Sequence, residues 1–183
     1  MRYLLIVATL LLTACGFHLR GQGTGAAFPF TTATVSGGGG TANALREYLS
    51  VLPDVKLLDK PGPDTPQIDV VSEGDNQKVL TVNSSGRVSE YRVYYTVRFR
   101  VRQGDNYLID DGKVQLFRDY TYDENNPLGE DAEKAQLVEG MQRDASQNIL
   151  RRITAAARNA EKIKANPPPP KLSPTEQMIK SLQ

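Results

Sequence analysis

The most regular pattern in the chain is an alternation of hydrophobic and polar residues that begins at Tyr91 and continues for twelve positions. In an extended strand, successive side chains point to opposite faces of the sheet. One face receives Tyr91, Val93, Tyr95, Val97, Phe99 and Val101. The other face receives Arg92, Tyr94, Thr96, Arg98, Arg100 and Arg102. This pattern predicts a half-buried antiparallel strand with its hydrophobic face on the core and its polar face in solvent.

Extended segments also flank this strand on both sides. Residues 67–82 predict a long strand, and the Asn-Ser-Ser-Gly sequence at 83–86 is typical of a turn. A second turn is predicted at 103–106, after which residues 107–122 return as another strand. The Asp-Asp-Gly sequence at 110–112 predicts a bulge or bend within that strand.

The N-terminal half of the predicted domain is less regular. Residues 28–36 are rich in Phe, Thr and Val, which favour strands, and residues 55–58 form a short strand candidate. Between them, four consecutive glycines at 37–40 predict a break in regular structure. A phosphate-binding loop would require a Lys-Ser or Lys-Thr ending, and the glycines are not followed by one.

Two segments place hydrophobic residues at helical spacing. Thr41 is predicted to cap the first helix, and Pro53 ends it. The hydrophobic face of this helix carries Leu45, Tyr48, Leu49 and Leu52. A long second helix is predicted over residues 130–163. Its hydrophobic face carries Val138, Met141, Ala145, Ile149, Ile153 and Ala156.

The predicted elements follow the order strand, helix, strand, three strands, helix. Two amphipathic helices over one face of a mostly antiparallel sheet would bury both hydrophobic patterns at once. The sequence therefore predicts an α+β, two-layer sandwich. We expect this single domain to cover residues 28–164, and a Pro-rich disordered tail to cover residues 165–183.

The N-terminus has the features of a bacterial lipoprotein signal. Residues 1–14 combine a basic start with a short hydrophobic run that is too short to cross a bilayer, which is typical of a signal peptide. The Leu-Thr-Ala-Cys sequence that ends at Cys15 resembles the lipobox, after which the cysteine is lipidated. Gly16 stands where an Asp would imply retention at the inner membrane, so the resemblance implies the outer membrane. Residues 15–27 would then be the lipidated N-terminus and a spacer.

Composition narrows the possible functions. The 183 residues include one Cys and one His, which excludes a disulfide framework and a Cys-rich zinc site within one chain. Lys and Arg number 22 against 21 Asp and Glu, a balance that argues against a general nucleic-acid-binding protein. We expect no metal, no cofactor and no catalytic residues, because no nucleophile and base can be assembled around one His.

The polar face of the most regular strand is the main candidate binding surface. Together with one residue just before the strand, it carries Arg87, Arg92, Arg98, Arg100 and Arg102. The planar guanidinium group suits phosphate and carboxylate ligands, and an anionic lipid head group fits an exported protein. The alternative is an ordinary solvated strand face, on which acids such as Asp119 or Asp69 pair with the arginines. Tyr94 shares this face and is a candidate interface residue.

The sequence from Cys15 to Gly21, Cys-Gly-Phe-His-Leu-Arg-Gly, resembles the start of the mature chain in the LptE family of lipopolysaccharide-assembly lipoproteins. The similarity continues in the Leu-Leu-Asp sequence at 57–59, around Gly86 with the Ser-Glu-Tyr sequence at 89–91, and at 114–118 before the Asn-Pro pair at 126–127. Family membership implies two helices over a four-stranded sheet.

The resemblance also implies a function. Such a protein sits inside the barrel of the outer-membrane protein LptD as a plug and assembly factor, and binds lipopolysaccharide. It would be lipid-anchored on the periplasmic side of the outer membrane. The barrel would contact the predicted turn, Asn83, Ser84, Ser85 and Gly86, with Tyr94 as a further candidate. For lipopolysaccharide, the resemblance adds Lys134 to the five arginines as a candidate contact.

Two other functions fit the same sequence. A free periplasmic lipoprotein could regulate a cell-wall enzyme and use the Pro-rich tail as a tether. A small lipoprotein hydrolase is the third possibility, but the serines at 84 and 85 lack the sharp strand-to-helix turn on which hydrolases place a nucleophile.

Overall fold

The computed structural model describes residues 28–123 and 127–167. In chain order the elements are β1 (Thr32–Ser36), α1 (Gly40–Ser50), β2 (Lys56–Leu57), β3 (Pro66–Val82), β4 (Val88–Gln103), β5 (Asn106–Thr121) and α2 (Pro127–Ala165). The predicted signal peptide, the lipidation at Cys15, the spacer and the tail from residue 168 onwards lie outside the described residues. No described helix combines the length and the hydrophobicity that crossing a membrane requires.

The sheet has five strands in the order β2-β1-β3-β4-β5, so the expectation of four strands is wrong. The fifth strand is β2, which confirms the short strand predicted at 55–58 and pairs with β1 through Lys56 and Leu57. The expectation of a mostly antiparallel sheet also needs correction, because β1 runs parallel to both of its neighbours. This mixed arrangement arises because α1 lies between β1 and the strands that follow, and a helical crossover returns the chain in the same direction.

The alternation in β4 determines which face of the sheet forms the core. Val93, Val97 and Val101 are fully buried, and Tyr95 and Phe99 are nearly so. Both helices pack on this inner face, as predicted. The helical layer contributes buried Leu45 and Leu49 from α1, and Met141, Ala145, Ile149 and Ile153 from α2. The arginines of β4 therefore point away from the helices.

The predicted bulge in β5 is confirmed. Phe99 of β4 pairs with Gly112, whereas Val101 pairs with Ile109, so β5 contains an extra residue between them. A Cβ atom at Gly112 would lie 2.5 Å from the buried ring of Phe99. The glycine therefore lets the bulged strand pass directly against the core.

The glycines between β1 and α1 are closely packed against β3. Gly37 and Gly39 have φ angles of 98° and 97°, a region that L side chains rarely adopt. A Cβ atom at Gly37 would overlap the carbonyl oxygen of Val70, and one at Gly39 would overlap the carboxylate of Glu73. Only glycine allows the chain to turn into α1 at this distance from the sheet.

The predicted capping role of Thr41 is wrong. The cap position of α1 is occupied by Gly39, and Thr41 lies inside the first turn. Its backbone N–H donates to Glu73 Oε2 at 3.0 Å, so a carboxylate from β3 stabilises the helix N-terminus from outside. The buried hydroxyl of Thr41 lies 2.8 Å from the hydroxyl of Tyr95 on β4. These polar contacts join α1 to both central strands.

Burial raises the pKa of Tyr95 to about 12, which makes the stability of the fold dependent on pH in the alkaline range. In the unfolded chain the phenol has its ordinary pKa of about 10. The folded state therefore holds this proton more tightly, and the stabilisation is complete below pH 10 and lost as pH rises towards 12.

We expect Tyr95→Phe to unfold more easily at pH 7, by about 1 kcal/mol, because the Thr41 hydroxyl loses its partner. As pH rises from about 10 to 12, the stability advantage of the wild type over this variant should shrink. Urea unfolding of both proteins at several pH values measures this difference. A difference that stays constant over that range would show that Tyr95 is not protected from ionisation.

Candidate functional site

The outer face of the sheet, which the helices leave uncovered, carries a concentration of basic side chains. We call this surface the basic face, and it consists of Lys78, Arg92, Arg98, Arg100, Arg102 and Lys113. The pairing register brings these residues together from three strands: Lys78 of β3 lies opposite Arg92, and Lys113 of β5 lies opposite Arg98. Four of the five predicted arginines lie on this face.

Arg92 is engaged in an ion pair within the protein. Its Nε and Nη2 atoms donate to the two carboxylate oxygens of Asp119 at 2.7 and 2.8 Å. Its guanidinium group also lies 4.5 Å from the centre of the Phe117 ring. The hydrogen bond from Arg92 lowers the pKa of Asp119, and the same contact raises that of Arg92. The predicted Asp119 partner is confirmed, and Arg92 serves to join β4 to β5.

The remaining arginines of β4 differ in how strongly they are held. Arg98 forms an ion pair with Asp111 at 2.9 Å, although both side chains are more than half exposed. Arg102 donates to Gln67 Oε1 at 2.8 Å. Arg100 is exposed and has no hydrogen bond or ion pair among the described residues, and the suggested partner Asp69 accepts from Ser36.

Three cations of the basic face therefore remain available for a ligand. Arg100, Lys78 and Lys113 are exposed, and none of them forms an ion pair with a described residue. An exposed cation without a partner is less desolvated and less constrained than one in a bidentate pair. These residues can bind phosphate or carboxylate groups without first breaking an internal contact.

An open depression of about 530 Å³ lies at the centre of this face. It forms over Gly74, where a Cβ atom would meet nothing within 4 Å. Its walls include Ser72, Asn76, Lys78, Tyr94, Arg98 and Gln115. Tyr94, a predicted interface residue, is half-buried in this wall, and the Lys78 ammonium lies 5.7 Å from the centre of its ring. The depression thus combines an aromatic wall with cations, and Glu73 and Asp75 of β3 also line it.

The predicted turn at 83–86 forms the tip of a long hairpin made by β3 and β4. The Asn83 side-chain oxygen accepts from the backbone N–H groups of Ser85 and Arg87 at 3.1 and 3.0 Å. Gly86 adopts a φ angle of 79°, and Ser84 is exposed like its neighbours. The tip therefore satisfies its own backbone groups and presents small polar side chains to solvent.

The other two predicted basic residues lie away from this depression. Arg87 is at the hairpin tip, directly after the turn. Lys134 of α2 lies on the helical side of the sheet, where its ammonium forms an ion pair with Asp75 at 2.9 Å. The structure does not bring Lys134 together with the basic face.

Lys78, Lys113 and the exposed ring of Phe117 were not predicted from the sequence. Phe117 is 53% exposed and packs against Tyr94, with ring centres 6.4 Å apart. A signal was present in β5, because Lys113, Gln115, Phe117 and Asp119 occupy the polar phase of its alternation. An aromatic residue in a polar phase predicts a surface contact. Lys78 could not be assigned without the register of β3.

The arrangement is suited to binding anions. In residues 28–123 and 127–167, His, Cys, Asp and Glu side chains form no group of three that could hold a metal ion. The chemistry that the basic face offers is electrostatic attraction and charge-assisted hydrogen bonding from exposed cations next to aromatic rings.

Comparison with known proteins gives a consistent result. Residues 27–153 match the model of the LptE family, described as lipopolysaccharide-assembly. The chain is 29% identical over 152 residues to the LPS-assembly lipoprotein LptE of Pectobacterium atrosepticum, covering 80% of each chain. It is 27% identical over 169 residues to the protein of the same name from Photorhabdus laumondii, covering 88% of each.

Solved structures resemble the fold. The crystal structure of rare lipoprotein B from Shewanella oneidensis has a TM-score of 0.64 at 23% identity, covering 71% of this chain and 98% of that one. The solution structure of an uncharacterized lipoprotein B from Nitrosomonas europaea has a TM-score of 0.62 at 27% identity, covering 82% and 97%. The similarity therefore includes both the sheet and the helices.

The different environments of Arg92 and Arg100 predict different effects on stability. We expect Arg92→Gln to lower the thermal unfolding midpoint, because Asp119 and Phe117 lose their shared partner. Arg100→Gln, on the same face of the same strand, should change the free energy of unfolding by less than about 0.5 kcal/mol. Calorimetry of the two variants provides the comparison. Equal midpoints would mean that the bidentate pair contributes nothing to the fold.

Proposed function

The chain belongs to the LptE lipopolysaccharide-assembly family, and we propose that it acts there as an outer-membrane lipoprotein that plugs an LptD barrel. In this proposal it also assists assembly of the barrel and binds lipopolysaccharide during delivery to the cell surface. Its role is non-enzymatic, and it is anchored through lipidated Cys15 on the periplasmic side. The observation that carries the proposal is the family match over residues 27–153, which include the whole sheet.

The shape of the hairpin supports a role as a plug. From Lys78 to its end at Val82, β3 is exposed throughout, so the end of the hairpin projects beyond the part that Glu73 and Asp75 hold against the helices. Near the tip, Val79 and Val82 are more than half exposed. A narrow two-stranded projection can enter a barrel lumen when the polar groups of its tip form hydrogen bonds with one another. Its exposed apolar residues can then pack against the inner wall of the barrel.

The depression on the basic face is the favoured binding site for lipopolysaccharide. The lipid A head group carries phosphates, which exposed arginine and lysine side chains bind by charge-assisted hydrogen bonds. Lys78 meets this requirement in the wall of the depression, and Arg100 and Lys113 meet it beside the depression on the same face, because none of the three forms an ion pair with a described residue. Arg98 can contribute as well, since its pair with Asp111 is exposed and therefore weak.

The plug proposal predicts where a partner contacts the hairpin. A photo-crosslinking amino acid at Ser85 should capture a large outer-membrane barrel in cells, because this position lies at the projecting tip. The matched control is Asp105, which lies in the exposed turn between β4 and β5 at the other end of the same strand. We expect crosslinks to the barrel at Ser85 and few or none at Asp105, because only the hairpin tip enters the lumen in this proposal.

Two results would contradict the plug proposal. One is a Ser85 crosslink only to soluble periplasmic proteins, which would favour a free lipoprotein regulator. The other is purification from the outer membrane without a stoichiometric barrel partner.

The proposed lipopolysaccharide site predicts a second set of variants. Arg100→Glu combined with Lys113→Glu should weaken binding of purified lipopolysaccharide by about tenfold or more, since each charge-assisted contact contributes about 1.5–3 kcal/mol when desolvated. The loss should be smaller at high salt, where screening already weakens the wild type. The matched control is Lys60→Glu combined with Lys164→Glu, which makes the same change in charge at exposed positions away from this face.

A third variant tests the depression without changing charge. Gly74→Leu should place an apolar side chain in the depression, because a Cβ atom at this position meets nothing within 4 Å. Weaker binding with an unchanged thermal midpoint is the expected result. Wild-type binding in both Gly74→Leu and the double charge variant would show that lipopolysaccharide binds elsewhere.

A further inference from the structure

A second concave surface lies on the helical layer, on the side of the molecule away from the basic face. This groove of about 500 Å³ runs between α1, α2 and the start of the described chain. Its apolar lining comes from Phe28, Tyr48, Leu52, Leu150 and Ala155. Tyr48, predicted for the buried face of α1, is instead 42% exposed in this groove. The described residues leave this apolar surface open to solvent.

The rim of the groove is basic. Arg151 and Arg158 of α2 line it, and residues seven positions apart on a helix lie two turns, or roughly 10 Å, apart on the same face. Arg151 is exposed and forms no hydrogen bond or ion pair with a described residue. Lys162 continues the same helical face one turn after Arg158. An apolar floor beside cations at one edge is complementary to an acyl chain that ends in an anionic head group.

The groove also lies where the chain leads towards its predicted anchor. Phe28, the first described residue, forms one wall and is held by an edge-to-face contact with Phe30, with ring centres 5.5 Å apart. The thirteen residue steps from Cys15 to Phe28 can span at most roughly 45 Å. An anchor at Cys15 would therefore keep Phe28, and the groove of which it forms a wall, within roughly 45 Å of the lipid surface.

We propose that the groove between α1 and α2 binds one anionic phospholipid of the leaflet to which the protein is anchored. One acyl chain lies on Phe28, Leu52, Leu150 and Ala155, and the phosphate is bound by Arg151 and Arg158. This inference rests on the lipid anchor in the proposed function, and it adds a ligand and a site that are separate from the basic face.

Both the size and the place of the groove favour a phospholipid. A volume of about 500 Å³ suits a single chain and not the several chains of lipopolysaccharide. The anchor on the periplasmic side makes the phospholipids of that leaflet its immediate neighbours. Binding would fix the orientation of the domain, which attachment at the single position Cys15 does not.

The first test fills the groove. The mature lipoprotein is purified in mild detergent with dipalmitoyl phosphatidylglycerol, and native mass spectrometry measures the fraction that retains one lipid molecule. Ala155→Trp places a large ring among the lining residues and should weaken retention by about tenfold, which corresponds to about 1.4 kcal/mol. Asn159→Trp makes a similar addition one turn later, at an exposed position outside the groove, and should retain lipid like the wild type.

The second test addresses the head group. Arg151→Glu should weaken retention of phosphatidylglycerol more than retention of dipalmitoyl phosphatidylcholine, which carries no net charge. Lys164→Glu makes an equal change in charge outside the groove and should have little effect. Thermal midpoints of all variants, measured in parallel, identify any that fail to fold, and a variant that unfolds is replaced by Ala155→Phe.

Three results would overturn the inference. In the first, Ala155→Trp and Asn159→Trp retain phosphatidylglycerol equally. In the second, phosphatidylglycerol is retained only after residues 168–183 are removed, which would make the C-terminal tail the occupant. In the third, Ala155→Trp abolishes binding of lipopolysaccharide and not of phosphatidylglycerol. Failure of the plug proposal would be seen separately, as loss of the Ser85 crosslink with lipid retention unchanged.

Discussion

The structure depends on one constraint, which is that β4 must bury one of its faces and keep the other in water. Val93, Val97 and Val101 on the inner face are fully buried, so β4 can pack only against a layer that covers that side. Both helices take this position, and the outer face is left for arginines that no core could accept unpaired. The core and the candidate binding surface are thus two consequences of a single alternation along one strand.

Local periodicity was sufficient to predict the elements and the side on which they pack. The period of two in β4 and the spacing of Met141, Ala145, Ile149 and Ile153 in α2 each specify one buried face, and the structure buries those residues. The bulge at Gly112 was also predictable, because an Asp-Asp-Gly sequence interrupts the alternation. These features depend on neighbours in sequence, which a single chain reveals.

Contacts between distant residues were not predictable in the same way. The pairing of β1 with Lys56 and Leu57 involves two residues of each strand, too few to produce a periodic signal. Glu73 binds the backbone of Thr41 at the N-terminus of α1, although the two residues are 32 positions apart in the sequence. The glycines at 37 and 39 are required because β3 passes close to this loop, and not because the loop has to be flexible. The same holds for the candidate site. Arg92 and Arg100 occupy equivalent positions in the alternation of β4. Only the pairing register places Asp119 beside Arg92 and leaves Arg100 without an ion pair to a described residue.

Although the net charge of the chain is only +1, the protein has two separate basic surfaces. One lies on the outer face of the sheet, and the other lines the groove on the helical layer beside Phe28. β1 pairs with β3 at Gln67–Asp69, near the first residues of β3, so Phe28 and the hairpin tip lie at opposite ends of the sheet. The twelve residue steps from Val70 to Val82 extend roughly 40 Å. The proposed lipid contacts at one end therefore leave the hairpin tip accessible to a partner at the other, while the basic face lies on the opposite side of the sheet from the groove.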